Sequence, residues 1–375
     1  MTDIAFAASK RSTVGIEWEL ALIDRESGEL RNEAEVILDR LGPSPGYPHT
    51  TGELLNNTVE LVSAAHARVG DAVADLAAQL AQLRTVADPL GIELLSAGSH
   101  PFAKWQDQQV VGKDRYRKLI ERTQWWGRNM MIWGAHVHVG VEDRSRVFPM
   151  LHALVALSPH LQALAASSPF WAGDVAGYAS NRALVFQQLP TAGQAADLDD
   201  WAAFESYVSD LVRTGVIDEV TEVRWDVRPA PRWGTLEVRA CDGLSTIEEV
   251  AGLTAYIQCL CEWFARRLDE GQTLPRLTPW FVRENKWRAA RYGMDAEIIL
   301  DNSGRESRVE DEILTTATLL EPIAADLGCL SELAWVPRIV ERGPSYRRQL
   351  ERYEHSGDLQ AVALGLAREL REGLR

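Results

Sequence analysis

The chain has 375 residues, 46% of them hydrophobic, so it is long enough to bury a large core as one large domain or as two. Its 39 basic and 54 acidic residues give a formal net charge of −15 without any Lys/Arg-rich block, which argues against nucleic acid or an anionic membrane surface as a partner. No run of about 18 apolar residues and no signal-like N-terminal segment occurs, so we expect a soluble, cytoplasmic protein.

Apolar periodicity and the positions of Pro and Gly predict alternating strands and helices without an internal repeat. Up to residue 213 the predicted elements are a strand at 13–24, a helix at 33–41, a Pro/Gly loop at 42–48, a strand at 53–62, a helix at 70–87, a strand at 92–96, a helix at 113–122, a strand at 134–142, and helices at 145–165 and 199–213. Two further strand-like runs, RWDVR and TLEVRA, flank PAPRWG and predict an antiparallel hairpin.

After residue 246 the pattern becomes mainly helical. The predicted helices lie at 246–269, 280–291, 309–326, 344–354 and 358–372. Because no linker separates this part from the strands before it, we predict a single domain over residues 1–375, with an α+β fold whose sheet is layered by helices.

Four strand-like runs carry ionisable side chains at alternate positions within apolar sequence. Those side chains are Glu17 and Glu19, His136 and His138, Glu237 and Arg239, and finally Arg224, Asp226 and Arg228. Since successive side chains of a strand point to opposite faces, each set projects from one face while apolar residues fill the other.

Each run also has an ordinary structural explanation. A lone ExE pair is most often the solvated face of an edge strand, an isolated HxH pair more often bonds to backbone than to a metal, and a same-face Glu–Arg pair is often a surface ion pair. The acids Glu53 and Glu60 of ELLNNTVEL and Arg182 of the SNR tripeptide are open to the same objection. These explanations are independent of one another, so the joint pattern favours one sheet face that holds metal and anions.

Such a face suits Mg²⁺ and a triphosphate. Mg²⁺ takes oxygen ligands, and arginine forks neutralise phosphate charge. The sequence has neither a G-x-x-x-x-G-K-[ST] loop nor a G-x-G-x-x-G fingerprint. Any ATP is therefore expected on the sheet and its metals.

Nearly the whole chain resembles the carboxylate-amine ligases of the glutamate–cysteine ligase type 2 family, the YbdK-like group. The resemblance is carried by GIEWE at 15–19, the Glu53…Glu60 spacing, GSHPF at 98–102, RY at 115–116, GAHVHVGV at 134–141, SPFWAGDVAGYASNR at 168–182, WDVRP at 225–229, GTLEVRACDG at 234–243 and RENKWRAARYG at 283–293. Trp18 and Ser99 stand where the family usually has Glu and Thr.

This resemblance implies a glutamine-synthetase-like catalytic fold with a curved, mainly antiparallel sheet. It also implies an ATP-dependent ligase that joins a small-molecule carboxylate, typically of glutamate, to an amine, in some members with weak glutamate–cysteine activity. In the expected mechanism the carboxylate is first phosphorylated by ATP and the amine then attacks the acyl phosphate. The helical C-terminal part offers a face for a homodimer.

The resemblance and the charged strand faces together suggest roles for individual residues. The expected ligands of two or three Mg²⁺ or Mn²⁺ ions are Glu17, Glu19, Glu53, Glu60, His136 and Glu237. His138 is expected to orient the site, and Arg239 and Arg228 to clamp the phosphates. Arg182 and Tyr178 lie in the loop expected to contact substrate and are assigned to its α-carboxylate. No residue is identified as the base that deprotonates the amine.

Two other classes of protein stay open at this point. A Zn-dependent hydrolase would use both histidines of HVH, but it needs a further ligand and an activated water, and the other six histidines are scattered. A non-catalytic descendant that senses a nucleotide or metabolite is the other alternative. The presence of every expected acid argues against it.

Overall fold

The computed structural model describes residues 3–43 and 46–373. Within those residues the strands are β1 (Val14–Asp24), β2 (His49–Gly52), β3 (Thr58–Val62), β4 (Ile92–Leu95), β5 (Gly134–Gly140), β6 (Phe170–Trp171), β7 (Asp174–Val175), β8 (Val227–Ala230), β9 (Thr235–Asp242), β10 (Glu297–Ile299) and β11 (Glu306–Arg308). The α-helices are α1 (Ala34–Leu41), α2 (Val69–Ala87), α3 (Asp114–Thr123), α4 (Trp125–Arg128), α5 (Val147–Ala156), α6 (Ser158–Ala165), α7 (Asn181–Phe186), α8 (Trp201–Arg213), α9 (Ile247–Asp269), α10 (Pro279–Tyr292), α11 (Val309–Leu327), α12 (Leu330–Leu333), α13 (Trp335–Arg342), α14 (Ser345–Ser356) and α15 (Leu359–Glu372).

A seven-stranded sheet in the order β2-β3-β1-β5-β9-β8, with β4 also paired to β1, forms the centre of the fold. All of its described pairings are antiparallel. Strand β1 is 11 residues long, so it can pair with β3 along one edge and with both β5 and β4 along the other. The structure therefore confirms the α+β class with a mainly antiparallel sheet.

Alternation along the strands produces one apolar and one charged sheet face. Trp18, the residue between the two glutamates of β1, is fully buried, and its indole N–H donates to Ser96 Oγ at 2.9 Å and to the Leu244 carbonyl at 3.2 Å. The apolar residues of β1, β5 and β9 join the same core cluster, which also contains residues of α2, α5, α6 and α9. Helices thus cover the apolar face and leave the other face for the charged side chains.

The C-terminal helices follow the prediction closely. Helix α9 begins at a capping box in which the Thr246 and Glu249 side chains each accept a hydrogen bond from the other's backbone N–H, as an N-terminal Thr-x-x-Glu predicts. The short helices α12 and α13 and the hairpin β10–β11 were not predicted. Elements of three to eight residues contain too few periods of the apolar pattern to be recognised.

The strand predicted over 53–62 is only partly correct, because β3 begins at Thr58 and the unpredicted β2 precedes it. The side chains of Asn56 and Asn57 bond to groups elsewhere in the chain, and this competes with continuous strand pairing. The predicted Pro/Gly loop before this region includes residues 44 and 45, which lie outside the described residues.

The single helix predicted at 145–165 is instead two helices, α5 and α6, bent by 54°. Pro159 has no N–H to continue the helical ladder, which explains the break. Among the described residues, no single helix is long and apolar enough to cross a membrane. One bent pair, Arg144–Ala156 with Ser158–Ala165, passes that test by length and composition only.

The four cysteines, predicted to be reduced packing groups because none lies in a CxxC pair, are all free and buried. The segment predicted as a substrate loop at 168–182 contains the small hairpin β6–β7 and the start of α7. Its end therefore belongs to a helix that approaches the charged face of the sheet.

Candidate active site

The charged side chains predicted on separate strands form one row across the sheet. The directly opposed pairs are Glu60–Glu19, Glu17–His136, His138–Glu237 and Glu237–Arg228. Opposed residues of antiparallel strands have Cβ atoms about 4.5–5.5 Å apart, close enough for their side chains to interact. The structure therefore brings together the predicted acids, histidines and arginines.

A β-bulge in β9 gives Arg239 its position. Ala135 pairs with Cys241 and Val137 with Val238, so two residues of β9, Arg239 and Ala240, oppose the single residue His136. A bulge of this kind redirects a side chain, and here it lets Arg239 contact Glu237 while Cys241 stays in the core.

Glu237 is buried among basic side chains at one end of the row. Its carboxylate accepts from Arg228 Nε at 2.7 Å and from Arg239 Nη1, and His138 Nε2 lies 3.8 Å away. Burial alone would raise the pKa of Glu237, but Arg228, Arg239 and His138 hold it well below its usual value. This end of the row is electrostatically complete without any added ion.

Arg228 uses most of its donors inside the protein, because hydrogen bonds within the described residues occupy Nε, both donors of Nη1 and one donor of Nη2. Besides Glu237, it donates from Nη1 to the carbonyls of Thr221 and Val223 at 2.7 and 2.8 Å, and from Nη2 to Glu237 at 3.3 Å. Arg228 also does not line the adjoining cavity. Its geometry is that of a residue which holds Glu237 in place.

Glu17 lies between the two histidines of β5. Its carboxylate is 3.1 Å from His136 Nδ1 and 3.3 Å from His138 Nε2, and His138 Nδ1 contacts Thr235 Oγ1 at 2.9 Å. Burial, with help from Arg239, lowers the pKa of His136 to about 4, so this imidazole is neutral near pH 7. Burial also opposes protonation of His138, but Glu237 and Glu17 outweigh it and raise its pKa.

Glu19, Glu53 and Glu60 form the opposite, acidic end of the row. In the described part of the chain none of the three forms an ion pair, although Glu19 accepts a hydrogen bond from the Gly134 N–H at 2.5 Å. Burial and the neighbouring carboxylates raise the pKa of Glu19 to about 7 and that of Glu60 well above its usual value. Burial likewise raises the pKa of Glu53. Such opposed like charges are unfavourable unless a cation lies between them.

Two sets of side chains could hold a metal ion, because in each the possible ligand atoms lie within 4.8 Å of one another. One set is Glu17, His136 and Glu237, and the other is Glu19, Glu60 and His136. Since Glu237 already accepts from two arginines, the second set is the better candidate. His136 Nε2 is buried and has no hydrogen-bond partner, as expected of an atom that ligates an ion. Two carboxylates with one imidazole suit Mg²⁺ or Mn²⁺.

A cavity of about 730 Å³ adjoins the acidic end. Glu19 and His136 line it from the sheet, and Glu53 lines it from the segment between β2 and β3. The opposite wall includes a row of side chains along α3 at helical spacing, namely Arg115, Lys118, Leu119 and Arg122. No role was predicted for these residues from the sequence, in which the available signals were the RY motif at 115–116 and the spacing of basic residues in DRYRKLIERT.

Two arginines of the cavity wall have donors to spare. Arg182, on α7, is only 3% exposed, forms no ion pair within the described residues, and has a buried Nε without a partner. The buried Nε of Arg239 is also without a partner, and both guanidinium groups lie within 6 Å of the Phe186 ring, at 5.6 and 5.9 Å. A Cβ at Gly134 would come within 2.2 Å of Arg182 Nη2, so a larger residue there would displace this guanidinium. The pair can receive an anionic group.

Two residues singled out from the sequence lie elsewhere. Tyr178 does not line the cavity, and its ring instead lies under the guanidinium of Arg291 at 5.6 Å. Asp226 forms a buried ion pair with Lys286 of α10 at 2.7 Å. The structure does not bring either side chain to the row of acids and arginines.

Known proteins are similar to this chain over nearly its whole length. The model of the family described as glutamate-cysteine ligase family 2 matches residues 13–364. The protein named "Putative glutamate--cysteine ligase 2" from Clavibacter sepedonicus is 55% identical over 374 residues, covering 99% of this chain and 98% of its own. A protein of the same name from Leifsonia xyli subsp. xyli is 53% identical over 377 residues and is covered completely, as is this chain.

Solved structures share the fold at low sequence identity. A glutamate–cysteine ligase from Francisella tularensis in complex with AMP superposes with a TM-score of 0.70 at 15% identity, covering 96% of this chain and 89% of that one. A bifunctional glutathione synthetase from Pasteurella multocida gives a TM-score of 0.63 at 13% identity, with 95% of this chain and 51% of that one covered. These likenesses support the fold, and the match of the family model shows the family. The chain belongs to glutamate-cysteine ligase family 2.

Proposed function

We propose that this protein is an ATP-dependent ligase that activates a small-molecule carboxylate, the γ-carboxylate of glutamate, and joins it to an amine. The observation that carries the proposal is the cavity in which unpaired carboxylates and the free His136 Nε2 lie beside two arginines with unused donors. Membership of the family and the names of its relatives support this reaction class. The AMP bound to the Francisella tularensis ligase supports a nucleotide as co-substrate.

Glu19, Glu60 and His136 would hold a divalent cation, with Glu53 beside them. Mg²⁺ or Mn²⁺ bound there would neutralise phosphate charge. The protein's own contribution is to keep these carboxylates buried and close together, so that a cation binds them in preference to water. His136 can act as a ligand near neutral pH because it is not protonated there.

The chemistry is an acyl transfer in two steps. A carboxylate oxygen of the substrate bonds to the γ-phosphorus of ATP as the bond to ADP breaks. The amine nitrogen then bonds to the acyl carbon, the carbon–oxygen bond to phosphate breaks, and the ammonium proton is released. Arg239 and Arg182 donate to the transferring phosphoryl group and to the substrate carboxylates, where such donors stabilise developing charge.

The structure changes the role that we propose for Arg228. Four of the five N–H donors of its guanidinium go to Glu237 and two backbone carbonyls, and its side chain does not line the cavity, so we assign it to positioning rather than to phosphate binding. Arg228 holds Glu237, and Glu237 in turn orients Arg239. We therefore propose that the main role of Glu237 is to hold Arg239 in place. Glu237 could bind a metal ion only if Arg239 moved away from its carboxylate.

The Zn-dependent hydrolase receives no support from the geometry. Neither of the ligand sets found among the described residues contains both histidines of HVH, as a zinc site built on that motif requires. His138 instead bonds to Glu17 and Thr235. A sensor without catalysis would use the same cation site and arginines to bind a nucleotide, so ADP release that depends on an amine is the observation that separates the two functions.

The proposal is tested by measuring ATP consumption with L-glutamate and a library of amines, while reading the product mass directly. We expect ADP and an amide whose mass equals glutamate plus amine minus water. Glu60→Gln should be inactive, and Glu93→Gln, which changes an acid of β4 paired with Arg25 and Arg371, should be fully active. ADP formation that does not depend on glutamate or on the amine would contradict the proposal. Tightly bound zinc at one ion per chain would contradict it as well.

A further inference from the structure

Asp242, the last residue of β9, gathers both ends of the segment 167–182. Its side chain is 1% exposed. Oδ2 accepts from the Ser167 backbone N–H at 3.0 Å and from the Ser168 hydroxyl at 2.7 Å, and Oδ1 accepts from the Ser180 hydroxyl at 2.8 Å. One carboxylate thus ties together two stretches of backbone that the hairpin β6–β7 separates.

The same two serines connect Asp242 to the start of α7. Ser180 is the N-cap of this helix, and its Oγ accepts from the Ala183 N–H at 3.4 Å. The Arg182 N–H donates to Ser168 Oγ at 3.0 Å. These are backbone donors in the first turn of a helix, which have no partner within the helix. Asp242 therefore fixes the first turn of α7, where Arg182 is located.

The surroundings of Asp242 are shaped for a carboxylate. A Cβ at Gly98 would lie 2.5 Å from its Cγ and its Oδ2, so only glycine leaves enough space. In the described part of the chain Asp242 forms no ion pair, although a buried charge without one is costly. Burial raises the pKa of Asp242, and the charge of Arg182 together with the three hydrogen-bond donors opposes this and favours the ionised form. Packing alone would not require a charge at this position.

Arg182 benefits from this arrangement because its guanidinium stays free for a ligand. Its described contacts are one hydrogen bond from Nη1 to the Arg239 carbonyl at 3.3 Å and the Phe186 ring. A direct Asp242–Arg182 ion pair would have occupied that guanidinium. Holding the helix through serines positions the arginine without using its donors.

We propose that Asp242 is a positioning residue that sets the affinity of the cavity for an anionic substrate group by holding the first turn of α7 and thereby Arg182. The mechanical part of this proposal stands on the hydrogen bonds alone. The identity of the anionic group, the substrate carboxylate, rests on the proposed function.

The test compares Asp242→Asn with Glu249→Gln, a change to another acid that is 1% exposed but lies in the capping box of α9. The asparagine NH₂ donates and cannot accept, so one of the two acceptor oxygens of Asp242 is lost. KM for the carboxylate substrate should therefore rise about 10-fold or more while kcat changes less. Glu249→Gln should lower Tm without changing KM. Ser168→Ala, which removes one connection only, should shift KM in the same direction by a smaller factor and guards against misfolding of Asp242→Asn.

Arg182→Lys completes a double-mutant cycle. If Asp242 acts through Arg182, adding Asp242→Asn to Arg182→Lys should raise KM little further. KM effects that multiply would overturn the proposal.

Hydrogen exchange decides the mechanical part independently of activity. The amides of residues 181–186 should exchange faster in Asp242→Asn than in the wild type, while those of α8 should not change. Unchanged exchange at 181–186 would overturn the proposal. If the wild type does not ligate glutamate, the proposed function fails and the exchange result still decides whether Asp242 holds α7.

Discussion

The two ends of the charged row lie on the same sheet and differ in how their charge is balanced. At one end, Glu237 is enclosed by Arg228 and Arg239, which hold its pKa well below the usual value, although burial opposes this. At the other end, Glu19 and Glu60 directly oppose each other, and burial with neighbouring acids raises their pKa values. One end is balanced by the protein's own side chains, and we propose that a cation balances the other.

The two ends therefore have different tasks: one fixes the orientation of Arg239, and the other is proposed to bind a cation. The Glu237 end holds Arg239 in one orientation before any substrate arrives, because breaking a buried ion pair is costly. At the acidic end the carboxylates lie unfavourably close to one another, and this destabilises the folded protein. A divalent cation bound there would remove the repulsion, so the same arrangement favours binding of the ion. The predictions below compare substitutions at the two ends, starting with the largest expected effect.

The largest effect is expected from loss of the cation or of its ligands. Glu60→Gln removes a carboxylate from the better metal set, so kcat/KM for ADP formation should fall by about 10²-fold or more. Excess EDTA should abolish activity in the wild type, and Mg²⁺ or Mn²⁺ should restore it. Glu93→Gln is the matched control on the same sheet. Turnover that continues in EDTA would refute the need for a cation.

Substitutions of Arg239 and of Glu237 should lower the rate to a similar extent, and added Mg²⁺ should not restore it. Arg239→Lys keeps the charge but loses the planar fork, so the rate should fall by about 10²-fold with an unchanged Mg²⁺ requirement. Because Glu237 anchors Arg239, Glu237→Gln should have a similar effect, and raising Mg²⁺ should not rescue it. Rescue of Glu237→Gln by Mg²⁺ would instead identify Glu237 as a metal ligand.

Stability should respond in opposite directions at the two ends. Glu237→Gln leaves Arg228 and Arg239 without their buried partner and should cost about 3–5 kcal/mol in the free energy of unfolding. Glu60→Gln removes an unpaired carboxylate and should leave metal-free stability unchanged or raise it. Urea unfolding of both variants measures this contrast. Equal destabilisation by both substitutions would show that the acidic end is already balanced.

The smallest effect concerns pH. An acid whose folded pKa is raised contributes stability below its unfolded pKa and loses that contribution as pH rises through the folded pKa. The raised pKa of Glu60 therefore predicts that the metal-free wild type loses stability relative to Glu60→Gln as pH rises above 4.5, the usual pKa of this side chain, by at most about 1.4 kcal/mol per pH unit. Taking the difference between the two proteins cancels the opposing titration of the buried histidines. A constant difference in Tm across this range would contradict the raised pKa.

Much of the site was predictable from the sequence, because alternation along a strand is a local property. Trp18 lies in the core as its position between Glu17 and Glu19 predicts, and Glu237 and Arg239 do share a face. The helices of the C-terminal part were predictable for the same reason, because the capping residues and the apolar periodicity of each helix lie within its own segment of sequence. These features need no knowledge of what packs against them.

Long-range pairing was not predictable. The opposition of Glu19 to Glu60 depends on strand register, and the bulge at Arg239 depends on how β9 meets β5. Tyr178 was assigned to substrate from its position in the loop, but the loop's path takes its ring to Arg291. The basic face of α3 becomes part of the cavity only through tertiary packing. The single domain, the cytoplasmic location and the homodimer stay predictions.

Thermal unfolding of the wild type and of Glu60→Gln with and without Mn²⁺, in the absence of nucleotide, tests the central claim most directly. An ion at about 100 times its Kd should stabilise the wild type by about 2.7 kcal/mol, which raises Tm, whereas Glu60→Gln should respond weakly. Glu93→Gln should respond as the wild type does. An equal rise in Tm for the wild type and Glu60→Gln, or no rise in either, would contradict the claim that the acidic end is a cation site.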